Sequence, residues 1–420
     1  MIALLSTQDP HAVATWLLAL VSIALVLIRP KDWPEAIWAV GGALLLTVSG
    51  LISLGQAAHA VAKGTDVYLF LTGMMVISEL ARREGVFDWL AAHAVHASRG
   101  SRARLFVLIY AVGTVVTIFL SNDATAVVLT PAVLAAIRAA EAEPLPYLMI
   151  CAFIANAASF VLPLSNPANL VVYAGNMPRL GDWLRNFALA SLASIVVTFA
   201  LLRLLSRSDL KGPVSTAGPI GPLSAGGRLT LFGIVFLAAV LMTASALDID
   251  LGAPACACGM FILAFIAFRD RRTVSAVTRG VAWSVLPLVA GLFVIVEALD
   301  ANGALDYAVA ALQALQHWPV RQAALASGFG IALISNLMNN LPSGLISASA
   351  IKAAHLAGPI RDAILVGVDL GPNLSVSGSL ATILWLIALR RDGLNISFWR
   401  FLKWGAVIMP PALFCALLLL

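Results

Sequence analysis

The residues with chemistry to offer sit in four short polar interruptions of long apolar runs. Asn122, Asp123 and Thr125 lie in the first, Ser165, Asn166 and Asn169 in the second, and Asn340 and Ser343 in the third. Asn373, Ser377 and Ser379 lie in the fourth, just after Asp369. Amides and hydroxyls both donate and accept hydrogen bonds, so the ten amide and hydroxyl residues form a candidate binding set for a small ligand that does the same. The interruptions contain no Lys or Arg, the usual partners of an obligate anion, although half-helix N-termini can also hold one. Each of these side chains has a structural alternative, which is to cap a broken helix end. Asp123 and Asp369 offer a different chemistry. Carboxylates in apolar segments are costly and often mark proton paths, so both are candidates for proton coupling, with Asp123 ahead because it lies at a tip. The alternative for Asp123 is an N-cap of the run that follows.

Other chemistries find little support. The chain has no HExxH or GxSG segment, no paired membrane aspartates and no GxxxxGK[ST] loop, so neither an intramembrane enzyme nor an ATP-driven machine is indicated, and no cofactor is expected. The cysteines Cys151, Cys256, Cys258 and Cys415 have no disulfide or metal-ligand spacing. On a helix the thiols of Cys256 and Cys258 would point about 200° apart, and small buried hydrophobes is the simpler reading. His59, His93, His96, His317 and His355 likewise lack ligand spacing, so no metal site is expected. Glu79 and Glu297 sit near the ends of apolar runs and are expected to pair with neighbouring groups.

The elements that must position these residues are membrane spans. Of 420 residues 61% are hydrophobic and 11% charged, with mean hydropathy +0.95, whereas soluble domains carry about 25% charged residues. Runs such as 12–28, 229–246, 253–268 and 405–420 are long enough to cross a bilayer as helices. The net charge of +5 comes from arginines at run ends and not from a nucleic-acid-binding face. The first cations, Arg29 and Lys31, follow the first run, so that run reads as a retained span entered from outside and not as a signal peptide.

The chain also repeats itself. Gly73-Met-Met-Val-Ile-Ser-Glu79, with Gly85 and Asp88, recurs as Gly291-Leu-Phe-Val-Ile-Val-Glu297, with Gly303 and Asp306, and each pair is 218 residues apart. The same shift puts Asn122 on Asn340, and a shift of 217 puts Asn156 on Asn373. Neither aspartate is duplicated: Asp123 falls on Leu341 and Asp369 on Ala152. Basic loops stay cytoplasmic. That rule puts Arg82 and Arg83, the Arg269-Asp-Arg-Arg272 turn and a linker at 206–228 inside. It puts residues 53–66 and the Leu247-Asp-Ile-Asp250 turn outside. The outside loop at 53–66 therefore corresponds to an inside loop in the second half, which is an inverted repeat of the kind secondary transporters use. Arginines at both ends of residues 104–140 suggest a re-entrant hairpin, matched by 321–357. Unwound backbone at membrane depth needs a protein or cavity lining, so the four interruptions should meet at one site.

The expected fold is an all-α polytopic membrane protein. Residues 1–205 and 229–420 form two inverted-topology repeats of five transmembrane segments, each with one re-entrant hairpin and one broken helix. Ten crossings put both termini outside. Residues 86–97 read as an amphipathic linker.

These residues carry a family resemblance. Asn122-Asp-Ala-Thr-Ala-Val-Val-Leu-Thr-Pro131, Leu162-Pro-Leu-Ser-Asn-Pro-Ala-Asn-Leu170 and Gly367-Val-Asp-Leu-Gly-Pro-Asn-Leu-Ser-Val-Ser-Gly-Ser-Leu-Ala-Thr-Ile-Leu-Trp385 resemble signature segments of the ArsB-type arsenite efflux permeases. Those belong to the ion transporter superfamily with dicarboxylate carriers and sodium/proton antiporters. Pro167, between two asparagines, departs from the pattern. The resemblance implies proton-coupled extrusion of arsenite or antimonite across an inner membrane, in some members with an arsenite-stimulated ATPase subunit. Arsenite is largely an uncharged trihydroxide at neutral pH, which suits an amide and hydroxyl site. Because tight thiolate binding would slow release, the cysteines are not expected to carry it. A sodium/proton antiporter or sodium-coupled dicarboxylate carrier is the nearest alternative, and an intramembrane enzyme the alternative from another class.

Overall fold

Apolar runs bounded by serine, asparagine and proline become helices in a computed structural model that describes residues 9–173, 176–215, 221–268, 270–356 and 358–420. The first half consists of α1 (Pro10–Ile28), α2 (Glu35–Val48), α3 (Leu54–Lys63), α4 (Thr65–Arg83), α5 (Val86–Ala97) and α6 (Arg102–Phe119). A π-helical turn (Ala124–Leu129) leads into α7 (Thr130–Ala139), followed by α8 (Leu145–Ala157), α9 (Pro167–Val172) and α10 (Leu180–Leu205). The second half consists of α11 (Ala225–Ala246), α12 (Gly252–Ala267), α13 (Arg272–Gly280), α14 (Val285–Ala301), α15 (Leu305–Leu315) and α16 (Val320–Met338). It continues with α17 (Asn340–Ala353), α18 (Pro359–Leu370), α19 (Leu380–Arg391) and α20 (Phe398–Leu418). No β-strand forms among the described residues. The expected N-terminal segment 1–8, linker residues 216–220, Arg269 and residue 357 of the second hairpin lie outside the described residues.

By length and composition α1, α6, α10, α11, α20 and the stretch 272–301 can each cross a membrane, and α3 and α4 pass the same test together with a bend of 47° between them. The protein is a multi-pass membrane protein. α2, α8, α12 and residues 124–139 are apolar but shorter, below the roughly 20 residues a straight crossing needs.

Residues 53–66, read from the sequence as a loop, are mostly helical. Ser53 Oγ accepts the Gln56 N–H at 3.2 Å and Gln56 Oε1 accepts the Ser53 N–H at 3.0 Å, a capping box that starts α3. The amphipathic linker is α5, with the expected bounds. Past α10, Val214 and Ser215 donate backbone hydrogen bonds to Gly100 O and Ala140 O, which ties the linker to the outer ends of α6 and α7.

Helices of one half pack on helices of the other: α4 lies along α12, α2 along α14 and α10 along α20. Two glycines of the repeated motif allow the first two crossings. A Cβ on Gly73 would sit 2.7 Å from Cys256 N, and one on Gly291 would sit 2.6 Å from the carbonyl carbon of Ala39. Close backbone approach of this kind is how membrane helices pack without a hydrophobic driving force. Under the polar interruptions lies a fully buried aromatic group, with the Phe153 and Phe401 rings stacked at 5.1 Å and Trp385 edge-on to Phe401 at 5.7 Å.

Candidate functional site

The second and fourth interruptions meet in the middle of the molecule. After α8 and α18 the backbone leaves the α-helix, passes through short 3₁₀ turns at Pro163–Ser165, Gly371–Leu374 and Val376–Gly378, and resumes as α9 and α19. Pro163, Pro167 and Pro372 lack the N–H that would continue a helix. Asn156 Nδ2 donates to Asn373 Oδ1 at 3.0 Å, and Asn373 Nδ2 donates to Phe153 O at 3.0 Å. Asp369 has no exposed surface and accepts from Ser159 Oγ at 2.7 Å and Asn166 Nδ2 at 2.8 Å. The other end of the Asn166 amide accepts the Ala168 N–H and caps α9. Asn169 Nδ2 donates to Ser159 O at 2.9 Å, while Asn169 Oδ1 and Asn156 Oδ1 are buried and make no hydrogen bond among the described residues.

The first and third interruptions turn alike. The Thr117 and Thr125 hydroxyls are 2.8 Å apart, and those of Ser335 and Ser343 are 2.7 Å apart. The two pairs are 218 residues apart. At the first tip Ser121 Oγ accepts the Ala124 N–H at 3.2 Å and Asn122 Oδ1 accepts the Asp123 N–H at 2.9 Å. The caps are therefore Ser121 and Asn122. Asp123, which the sequence offered as a cap, makes no capping bond. At the second tip Asn339 takes φ 76° and ψ 154° between α16 and α17, and its Oδ1 accepts the Leu341 N–H. Asn340 is buried beside it and Ser343 also donates to Asn340 O.

Cross-bonds join tips to breaks. Ser165 Oγ donates to Ile118 O at 2.9 Å. Asn336 Nδ2 donates to Gly371 O at 2.9 Å, Asn336 Oδ1 accepts from Ser375 Oγ at 2.7 Å, and Ser377 Oγ donates to Asn336 O. Ser379 caps α19 through the Ala381 N–H.

A cavity of about 450 Å³ opens beside the first tip. Its walls include Met74, Ser78, Glu79 and Arg82 of α4, Ser121 and Asp123 of the tip, and Arg391 and Asp392 at the end of α19. Of the residues singled out in the sequence as candidates, Asp123 alone is on this wall. The other candidates do not line it, and most of them hold the tips and breaks in shape. Glu79 is tied to Arg82 Nε at 2.7 Å and Nη2 at 2.5 Å. No side-chain hydrogen bond or ion pair joins Asp123 to another described residue. A second cavity of about 630 Å³ is lined by Lys63, Glu297, Tyr173, Lys352 and Arg361 among others, and there Lys63 Nζ meets Glu297 at 2.7 Å. Both glutamates thus pair with neighbours, as their positions suggested.

The sequence reading missed Ser121, Ser159, Asn336 and the α4 wall. Ser121 and Asn336 lie inside interruptions already marked as polar, so their signal was present. Ser159 is a lone hydroxyl ahead of Pro163, and nothing in its spacing distinguishes it.

Comparison with known proteins agrees with this architecture. Residues 16–368 match the family model described as citrate transporter, CitMHS. The arsenical pump membrane protein of Escherichia coli K12 is 30% identical over 416 residues, covering 94% of this chain and 95% of that protein. The one from Yersinia enterocolitica is 29% identical, covering 89% and 90%, and an uncharacterized transporter of Mycobacterium tuberculosis is 28% identical, covering 92% of each. Among solved structures, that of the Alcanivorax borkumensis YdaH transporter, described as having an unusual topology, superposes with a TM-score of 0.56 over 98% of each chain at 15% identity. That likeness shows a shared fold. From the family match and the end-to-end likeness to the E. coli pump protein, the chain belongs to the arsenical pump membrane proteins of the citrate transporter family.

Proposed function

We propose that this transporter carries trivalent arsenic or antimony, as arsenite or antimonite, out of the cytoplasm across the inner membrane in exchange for protons. The carrying observation is the carboxylate of Asp123, unpaired among the described residues on the wall of a cavity that abuts a broken helix tip. In this reading Asp123 takes and releases the proton and Asp369 is the second candidate. The ligand meets the amides and hydroxyls of Asn122, Thr125, Ser165, Asn166, Asn169, Asn340, Ser343, Asn373, Ser377 and Ser379 as the tips and breaks shift.

In the same reading the molecule is built of two inverted repeats, 1–205 and 229–420, joined by a cytoplasmic linker at 206–228, with re-entrant hairpins at 104–140 and 321–357 and both termini periplasmic. Matching hydroxyl pairs at the two tips support it, as do helix starts 218 residues apart, at Leu54 and Arg272, Arg102 and Val320, and Leu180 and Phe398. Inverted repeats place substrate at their interface.

Everted vesicles bearing the protein should accumulate arsenite under an imposed proton gradient and stop when a protonophore is added. Citrate and sodium serve as control substrates, and assays with and without an arsenite-stimulated ATPase test that partner. Transport of citrate or sodium in place of arsenite would move the reading to a dicarboxylate carrier or sodium/proton antiporter, and equal arsenite uptake with the gradient collapsed and no ATPase would remove proton coupling.

A further inference from the structure

At the ends of two long apolar helices lies a groove unrelated to the polar interruptions. α6 begins at Arg102 and α10 ends at Leu205, and both are long and apolar enough to cross a membrane. Beside those ends Arg99, Arg104 and Arg203 converge on an open groove of about 460 Å³, whose remaining wall includes Ala103, Val107 and Leu108. Among the described residues no carboxylate lines it. All three arginines are exposed, and none has a side-chain hydrogen bond or ion pair among the described residues. Val107 is 40% exposed, so an apolar strip runs from the guanidinium groups along α6 toward the first tip.

We infer that this groove binds an anionic phospholipid, with its phosphate held by Arg99, Arg104 and Arg203 and an acyl chain lying along Val107 and Leu108. Guanidinium groups suit phosphate because they present paired donors in a plane and keep their charge. Three of them on separate segments, without a balancing acid, form a site of the wrong charge for a zwitterionic headgroup. Basic pockets between spanning helices at the cytoplasmic surface are where anionic headgroups are recognised. Free phosphate could meet the charge but would leave the apolar strip uncovered, so the lipid fits the whole groove. Occupancy would clamp the outer end of α6, an arm of the first tip, to the end of α10.

The test is thermal unfolding of the purified full chain in detergent, titrated separately with phosphatidylglycerol, phosphatidylcholine and inorganic phosphate. Phosphatidylglycerol should raise the midpoint saturably by roughly 2–5 °C, and the other two should raise it little. A variant with Arg99→Gln, Arg104→Gln and Arg203→Gln should unfold at its usual midpoint in phosphatidylcholine and lose the phosphatidylglycerol response. An equal rise with phosphatidylcholine, an equal rise with phosphate alone, or an undiminished response in the triple variant overturns the inference. Should that variant not fold, native mass spectrometry decides with Arg203→Gln alone. The wild type should retain phosphatidylglycerol over phosphatidylcholine at matched supply and Arg203→Gln should retain less, while equal retention overturns the site.

Discussion

The amide of Asn156 donates to the side-chain oxygen of Asn373 at 3.0 Å, across 217 residues of chain. The same interval relates these two residues in the sequence repeat, so each touches its own counterpart. Under the proposed inverted repeat only residues close to the two-fold axis can do that, which puts the pair where the halves pivot.

Removing both members should therefore cost less than the two single removals added together. Asn156→Ala leaves Asn373 Oδ1 buried without its donor, at a cost of about 1–3 kcal/mol. Combining it with Asn373→Ala should destabilise by less than the sum of the single changes. Thermal unfolding of the four proteins in one detergent measures this, and strict additivity would mean that the bond is energetically idle.

Gly73 and Gly291 set the approach of α4 to α12 and of α14 to α2. Valine at either position must push a backbone away, and overpacking of this kind costs about 1–3 kcal/mol or more. Gly73→Val and Gly291→Val should each lower the unfolding midpoint, while Gly41→Val, where a Cβ meets nothing within 4 Å, should not. Equal effects at all three positions would refute the role of the crossings.

Much of this was legible in the sequence because apolar length and polar interruption are one-dimensional signals. The four breaks, the α5 linker and the repeat offset all follow from residue order. Gly73 and Gly291 marked the repeat, but only the crossings explain why glycine stands there. The assignment of roles was less legible. Whether an amide faces a cavity or a backbone carbonyl depends on contacts such as Asn166 to Asp369, 203 residues apart, and no spacing rule reports those. The cavity wall on α4 was missed for the same reason, since Met74 and Ser78 look like ordinary span residues.

Asn339 holds φ 76° and ψ 154°, a region suited to glycine that costs other residues about 1–3 kcal/mol. Its Oδ1 cap on Leu341 offsets part of this. Asn339→Gly should keep the tip and its stability within about 1 kcal/mol, because the relieved backbone compensates for the lost cap. Asn339→Val, with neither freedom, should be markedly destabilised. A valine variant as stable as the glycine one would show that the tip tolerates another backbone path.

None of the four cysteines lines the cavity beside Asp123, and Cys151 and Cys258 are buried in helices. Replacing all four by alanine should leave substantial arsenite transport once expression is matched. Abolished transport in a folded cysteine-free protein would establish a thiolate step.

At Asp123 a structural role and a coupling role can be told apart. Ser121 and Asn122 supply the capping bonds at this tip, at 3.2 and 2.9 Å, and the Asp123 carboxylate supplies none. Asp123→Asn and Asp123→Ala should therefore both fold, with unfolding midpoints close to the wild type, since no cap is lost. Asparagine keeps the size and polarity of the side chain but cannot take up and release a proton. Asp123→Asn should still exchange labelled arsenite across vesicles at equal concentrations, yet fail to concentrate it when a proton gradient is imposed. Asp123→Ala should show the same loss of coupling. If either variant accumulates arsenite as the wild type does, Asp123 is not the proton carrier, and attention passes to Asp369. There the same substitution is a harsher test, because Asp369→Asn also disturbs the bonds from Ser159 and Asn166, so an unfolding midpoint must accompany every transport measurement on that variant.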